Sequence, residues 1–134
     1  MKKMFLFLAM SVLLFGDGYK EFAQSMQYET NYEKALDRAK AEGKNLMVLM
    51  ITNYCPWCAK FEKKTLSDAQ IDAMVKSGYI PLIINKEEKN FPSFLNAPMV
   101  PTTFFVDAKS QKILHESVGF SSKADFEILL KALK

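Results

Sequence analysis

Little in this sequence is repeated or one-sided. Its 134 residues contain no internal repeat, no low-complexity tract and no Pro/Gly/Ser-rich linker, which argues against a second domain. Lysine and arginine number 18 against 15 aspartates and glutamates, a formal charge of +3, too balanced to point to nucleic acid as a partner. No apolar run reaches the roughly 20 residues of a comfortable transmembrane helix. Cysteine is scarce as well. There are two, so no second pair exists for a structural bridge. What the chain does have is 49% hydrophobic and 13% aromatic residues, enough for one small domain to build a core unaided.

The two cysteines stand together as Cys55-Pro56-Trp57-Cys58, directly after the apolar run Leu46-Met47-Val48-Leu49-Met50-Ile51. A Cys-x-x-Cys pair launched from a buried strand into a helix puts its first sulfur at the helix N-terminus, where unpaired N–H groups and the dipole favour a thiolate. Cys55 is therefore the candidate nucleophile. Cys58, one turn on and facing inward, is placed to attack a mixed disulfide on Cys55 and release the partner, so the two form a candidate catalytic pair. Two other readings compete and are weaker. Zinc needs four ligands, and the chain adds only His115 and carboxylates to the two thiolates. A purely structural disulfide across so short a loop would restrain the unfolded chain little. No metal and no cofactor is expected.

The N-terminus points to export. Met1-Lys2-Lys3 is a short positive region, Met4 to Phe15 is almost unbroken apolar sequence, and Gly16-Asp17-Gly18 supplies small residues where a signal peptidase reads them. Residues 1–18 are read as a signal peptide and 19–134 as the domain. Because the expected Ala-x-Ala is missing, an uncleaved membrane anchor stays open. Cleavage takes two lysines and one aspartate with it and moves the formal charge from +3 to +2. A disulfide-forming compartment suits a redox pair.

The periodicity predicts an α-β-α-α-β-β-β-α order. Tyr32, Ala35, Leu36 and Ala39 fall at helical spacing within Asn31–Glu42, with Thr30 or Asn31 as cap and Gly43 as stop. Leu46–Thr52 reads as a strand covered on both faces, and Pro56–Thr65 as the helix carrying the pair. Ser67-Asp68 caps a helix that ends at Gly78, and Tyr79–Asn85 is the next strand. Thr102–Val106 and Ile113–Val118 are strands joined by the turn Asp107-Ala108-Lys109-Ser110, and Ser122–Leu133 is a closing amphipathic helix.

Three separated motifs in this order resemble the thioredoxin-like superfamily over roughly residues 29–133. They are Thr52-Asn53-Tyr54-Cys55-Pro56-Trp57-Cys58, Val100-Pro101-Thr102-Thr103-Phe104-Phe105-Val106-Asp107, and Val118-Gly119-Phe120-Ser121. The start, with Glu42-Gly43-Lys44-Asn45 ahead of the strand, is most similar to exported thioredoxin-like proteins that begin with a helix. The resemblance implies an α/β fold with a central mixed β-sheet flanked by helices on both faces. It also implies that Pro101 is cis and faces the pair across the active site. In that place Pro101 leaves the backbone of Val100 free to pair with an extended substrate segment, and Pro101, Val100 and Trp57 are the candidate substrate-binding residues. Pro56, Pro81, Pro92 and Pro98 read as turn or helix-start residues.

The chain departs from thioredoxin at Leu49, six residues before the first cysteine, where cytoplasmic thioredoxins carry a buried aspartate that helps move the proton of the inner cysteine. Glu62, on the same helix as Cys58, is a candidate substitute, set against the plainer reading of a solvated carboxylate. Tyr54 stands where thioredoxins have tryptophan. Pro56-Trp57 is closer to the Cys-Pro-aromatic-Cys of glutaredoxins and some exported thiol oxidoreductases than to Gly-Pro. Met47, Met50 and Met74 fall at core positions and read as apolar filler rather than copper ligands. His115 reads as a surface or packing residue and Lys86-Glu87-Glu88-Lys89 as a solvated loop. Phe91, Phe94 and Met99 are either core or an apolar lip for substrate.

The reading that follows is an exported, periplasmic, monomeric thiol-disulfide oxidoreductase acting on cysteine-containing exported proteins through Cys55 and Cys58. By analogy it is a reductase kept reduced by a membrane thiol-disulfide electron donor. Oxidase or isomerase duty would use the same site. A redox-inactive binding or chaperone module stays open as a different class.

Overall fold

The computed structural model describes residues 18–134, so the signal-peptide or anchor assignment falls, but for Gly18, outside the described residues. The elements run α1 (Gly18–Met26), α2 (Tyr32–Glu42), β1 (Asn45–Ile51), α3 (Pro56–Phe61), α4 (Ala69–Gly78), β2 (Tyr79–Asn85), β3 (Thr102–Val106), β4 (Ile113–Val118) and α5 (Lys123–Ala132), with a π-helical turn at Glu62–Leu66. Helix ends follow the local chemistry. Asn31 caps α2 by accepting from the Lys34 amide at 3.0 Å, and Gly43 ends it at φ 65°, in the left-handed region that favours glycine. Asp68 accepts from the amides of Gln70 and Ile71 at the start of α4, and Ser122 accepts from the Asp125 amide at the start of α5.

The strands form one mixed sheet in the order β2-β1-β3-β4, with β1 parallel to β2 and antiparallel to β3, and β3 antiparallel to β4. An inner strand needs apolar residues on both faces, and Leu46 to Ile51 are all buried. Alternation along β1 then divides the core in two. Met47, Leu49 and Ile51 pack with Cys58, Phe61, Ile71 and Phe126, under α1, α3, α4 and α5. Leu46, Val48 and Met50 pack with Leu36, Ala39, Leu95 and Phe104, under α2 and the segment leading to β3. This is the expected mixed sheet with helices on both faces.

Three details differ from the sequence reading. Residues 19–30 carried no assigned element, yet α1 occupies most of them, because Tyr19, Phe22, Ala23 and Met26 recur at helical spacing and turn toward the first cluster. The helix expected over Pro56–Thr65 instead ends at Phe61 and widens into the π turn, where the Thr65 hydroxyl donates to the Ser121 carbonyl at 2.7 Å. Pro81 is a strand residue, buried within β2 opposite Met47. Its carbonyl accepts from the Glu29 amide at 2.9 Å on the outer edge of the sheet. The nitrogen of the same residue faces that edge too, so β1 misses no ladder donor.

Candidate active site

β1 delivers the chain to the turn Thr52–Tyr54, and Cys55 follows as the N-cap of α3 with Pro56 in its first turn. The two sulfurs are joined at 2.07 Å across a Cα separation of 5.2 Å. Cys55 Sγ also accepts from the Cys58 amide at 3.2 Å, the contact expected of a sulfur at a helix start. The pair is unequal. Cys58 is 3% exposed inside the first apolar cluster, whereas Cys55 is half-buried at its margin. Below them Phe61 meets the rings of Phe120 and Phe126 edge-on at 6.1 and 5.3 Å, which fixes α3 on the sheet.

Thr102 lies opposite Met50 in the β1–β3 register, so the chain entering β3 runs beside the end of β1 that leads to Cys55. The Val100–Pro101 peptide there is cis, as the resemblance implied. Pro101 is buried, its carbonyl accepting from the Gly119 amide at 2.7 Å, and Val100 is half-buried against the same cluster as Cys55. Trp57 is 57% exposed, with its ring 5.7 Å from that of Phe120 and the Lys60 ammonium 4.6 Å above it. Met99 and Phe94 are exposed while Phe91 packs on the second cluster, so two of the three candidate lip residues face solvent.

A cavity of about 630 Å³ opens beside the pair and is lined by Tyr19, Asn53, Cys55, Cys58, Ala59 and Glu62, among others. Glu62 is half-buried there, and loss of solvent pushes its carboxyl up to about 7. Leu49 is fully buried in the cluster that holds Cys58. Met47 and Met50 are fully buried core residues, and His115 lies on β4 with its ring 6.2 Å from Phe105. Among the described residues, no group of three or more His, Cys, Asp or Glu is placed to hold a metal ion.

Lys86-Glu87-Glu88-Lys89 is a largely exposed turn, as expected of a solvated loop, and it also makes side-chain hydrogen bonds. Asn85 Nδ2 donates to Asn53 Oδ1 at 2.6 Å, Asn53 Nδ2 donates to the Glu87 carboxylate, and the Glu87 amide donates to Asn85 Oδ1 at 3.0 Å. Glu88 accepts from the Tyr19 hydroxyl. Partners more than 30 residues apart leave no local signal; the only hint was a polar residue ending the otherwise apolar run of β2.

A mixed sheet that carries a closed Cys-x-x-Cys pair at its central strand-to-helix turn defines a thiol-disulfide oxidoreductase of thioredoxin type. The chain belongs to the thioredoxin-like family, whose domain description matches residues 32–134. Over 101 residues it is 28% identical to the thiol:disulfide interchange protein DsbD of Pseudoalteromonas atlantica, a match covering 72% of this chain but only 17% of that relative's length. A thioredoxin from Thermus thermophilus has a similar structure, with a TM-score of 0.69 at 22% identity, covering 79% of this chain and 85% of the other. The C-terminal domain of Neisseria meningitidis DsbD in its oxidised form gives 0.65 at 15% identity, covering 80% and 99%. Among the described residues, no helix is long and apolar enough to cross a membrane.

Proposed function

We propose that this protein is an exported, periplasmic reductase of disulfides in cysteine-containing exported proteins. The observation that carries this reading is the inequality of the two sulfurs, one reachable at the start of α3 and one sealed beneath it. The Cys55 thiolate attacks a client disulfide, forming a Cys55–client bond and expelling the other client sulfur as a thiolate. Cys58 then loses its proton and attacks the Cys55 sulfur, closing the intramolecular bond and expelling the second client thiolate. Two electrons pass to the client, and the oxidised pair is restored by a dithiol donor. The similarity to the interchange protein DsbD supports a membrane thiol-disulfide partner for that step.

Glu62 receives the Cys58 proton in this scheme. It lines the same cavity as both sulfurs, and with its carboxyl pushed up to about 7 it is poised to accept a proton near neutral pH. Client segments lie along Val100 and Pro101 in extended form and rest on the exposed Trp57 and Met99. The signal-like residues 1–18 support export, with the chain either released or held by an uncleaved anchor. The direct test is catalysis of insulin disulfide reduction by dithiothreitol. Acceleration supports a reductase, and none at micromolar protein would mark a binding module.

A further inference from the structure

We infer that Asn53, Asn85 and Glu87 act as a positioning brace for Cys55, holding the turn before it so that the first sulfur keeps its place when the disulfide is open. The inference rests on the reading of Cys55 as nucleophile. Past Ile51, whose carbonyl accepts from the Lys86 amide at 2.8 Å, the chain leaves the sheet and packing no longer holds it: Asn53 is exposed and Tyr54 is 99% exposed. Side-chain hydrogen bonds take over. Asn85 is 2% exposed, and both ends of its amide are used, one toward Asn53 and one toward the Glu87 backbone. Asn53 closes the ring by donating to the Glu87 side chain. An amide buried this deeply needs such partners, and it finds them only with the turn in this place.

The brace bears on chemistry because the two redox forms depend on it differently. In the disulfide, the sulfur–sulfur bond itself fixes Cys55 on Cys58. In the dithiol that restraint is gone, and the contact between Cys55 Sγ and the Cys58 amide, 3.2 Å here, depends on where the turn sets the residue. Loosening the turn therefore lets Cys55 drift from Cys58 in the dithiol, which weakens that contact and makes the pair less ready to close.

The test is equilibration with a glutathione buffer, in which the Cys55–Cys58 bond opens to two thiols while two glutathione molecules join as one glutathione disulfide. Asn53→Ala, at an exposed position, removes both of its bonds and is expected to shift this equilibrium about fivefold toward the protein dithiol, the scale of one hydrogen bond. Alkylation of reduced Cys55 at neutral pH should slow by a similar factor. Glu87→Ala should move both quantities the same way by less, and Glu87→Gln, whose amide oxygen still accepts, should restore them. Unchanged equilibrium and alkylation in Asn53→Ala, or a lowered melting temperature with no redox shift, would overturn the brace. If Asn53→Ala does not fold, equal behaviour of the two Glu87 variants would overturn it. A parent protein that neither cycles with glutathione nor reduces insulin would instead remove the nucleophile reading, and the brace with it.

Discussion

Leu49 and Cys58 pack in one apolar cluster, 0% and 3% exposed, so the sheet offers the inner sulfur hydrocarbon where cytoplasmic thioredoxins offer an aspartate. The carboxylate that shares a cavity with that sulfur comes from the helix side, as Glu62.

Burial raises the Glu62 carboxyl from its ordinary 4.5 to about 7, which means the fold favours its protonated form. Its contribution to stability is complete below about 4.5 and is lost as pH rises through about 7. Glu62→Gln is expected to remove that loss. Melting temperatures of the oxidised proteins at pH 5 and pH 8 should diverge, the variant gaining on the parent at the higher pH. The resolving step should also lose its inflection near neutral pH. Parallel melting curves across this range would take Glu62 out of the account.

Cys55 carries the reachable sulfur at the start of α3, and its thiol is expected to titrate below the free value of about 8.5. Thiolate absorbance of the Cys58→Ala protein against pH measures this directly. Cys58, only 3% exposed, should not show the same lowering in the Cys55→Ala protein.

Trp57 is 57% exposed beside the pair, its ring tilted against Phe120 with the Lys60 ammonium over one face. Trp57→Ala should raise KM for a protein disulfide about threefold to tenfold, the scale of one aromatic contact. Alkylation of Cys55 should not change. Steady-state kinetics with insulin and with a small disulfide separate the two effects.

Phe61 is fully buried between the rings of Phe120 and Phe126. Phe61→Ala leaves a cavity directly under α3 and should cost about 3–5 kcal/mol in urea denaturation. A loss below about 1 kcal/mol would mean that α3 is held by something else.

Much of this was legible in the sequence for physical reasons. β2, β3 and β4 match their expected bounds because apolar runs between turn residues leave a strand few alternatives, and Asn31, Gly43 and Asp68 cap or end helices where their side chains or backbone freedom demand it. The paired cysteines announced the site. α1 lies outside the expected elements although Tyr19, Phe22, Ala23 and Met26 carry a helical stripe, because the apolar sequence Met4 to Phe15 just ahead of it obscures where that stripe begins. Pro81 was misplaced because its tolerance depends on which strand edge its nitrogen faces, a property of the assembled sheet. The bonds joining Asn53, Asn85 and Glu87 follow from the parallel pairing of β1 and β2, which brings Ile51 level with Asn85.

The division of labour between the two sulfurs is tested most directly by trapping. Cys58→Ala, expressed in its native compartment, should accumulate stable mixed disulfides with client proteins through Cys55, since nothing remains to release them, and Cys55→Ala should accumulate none. Non-reducing gels in which both variants trap the same partners equally, or in which Cys58→Ala traps nothing, would contradict the account.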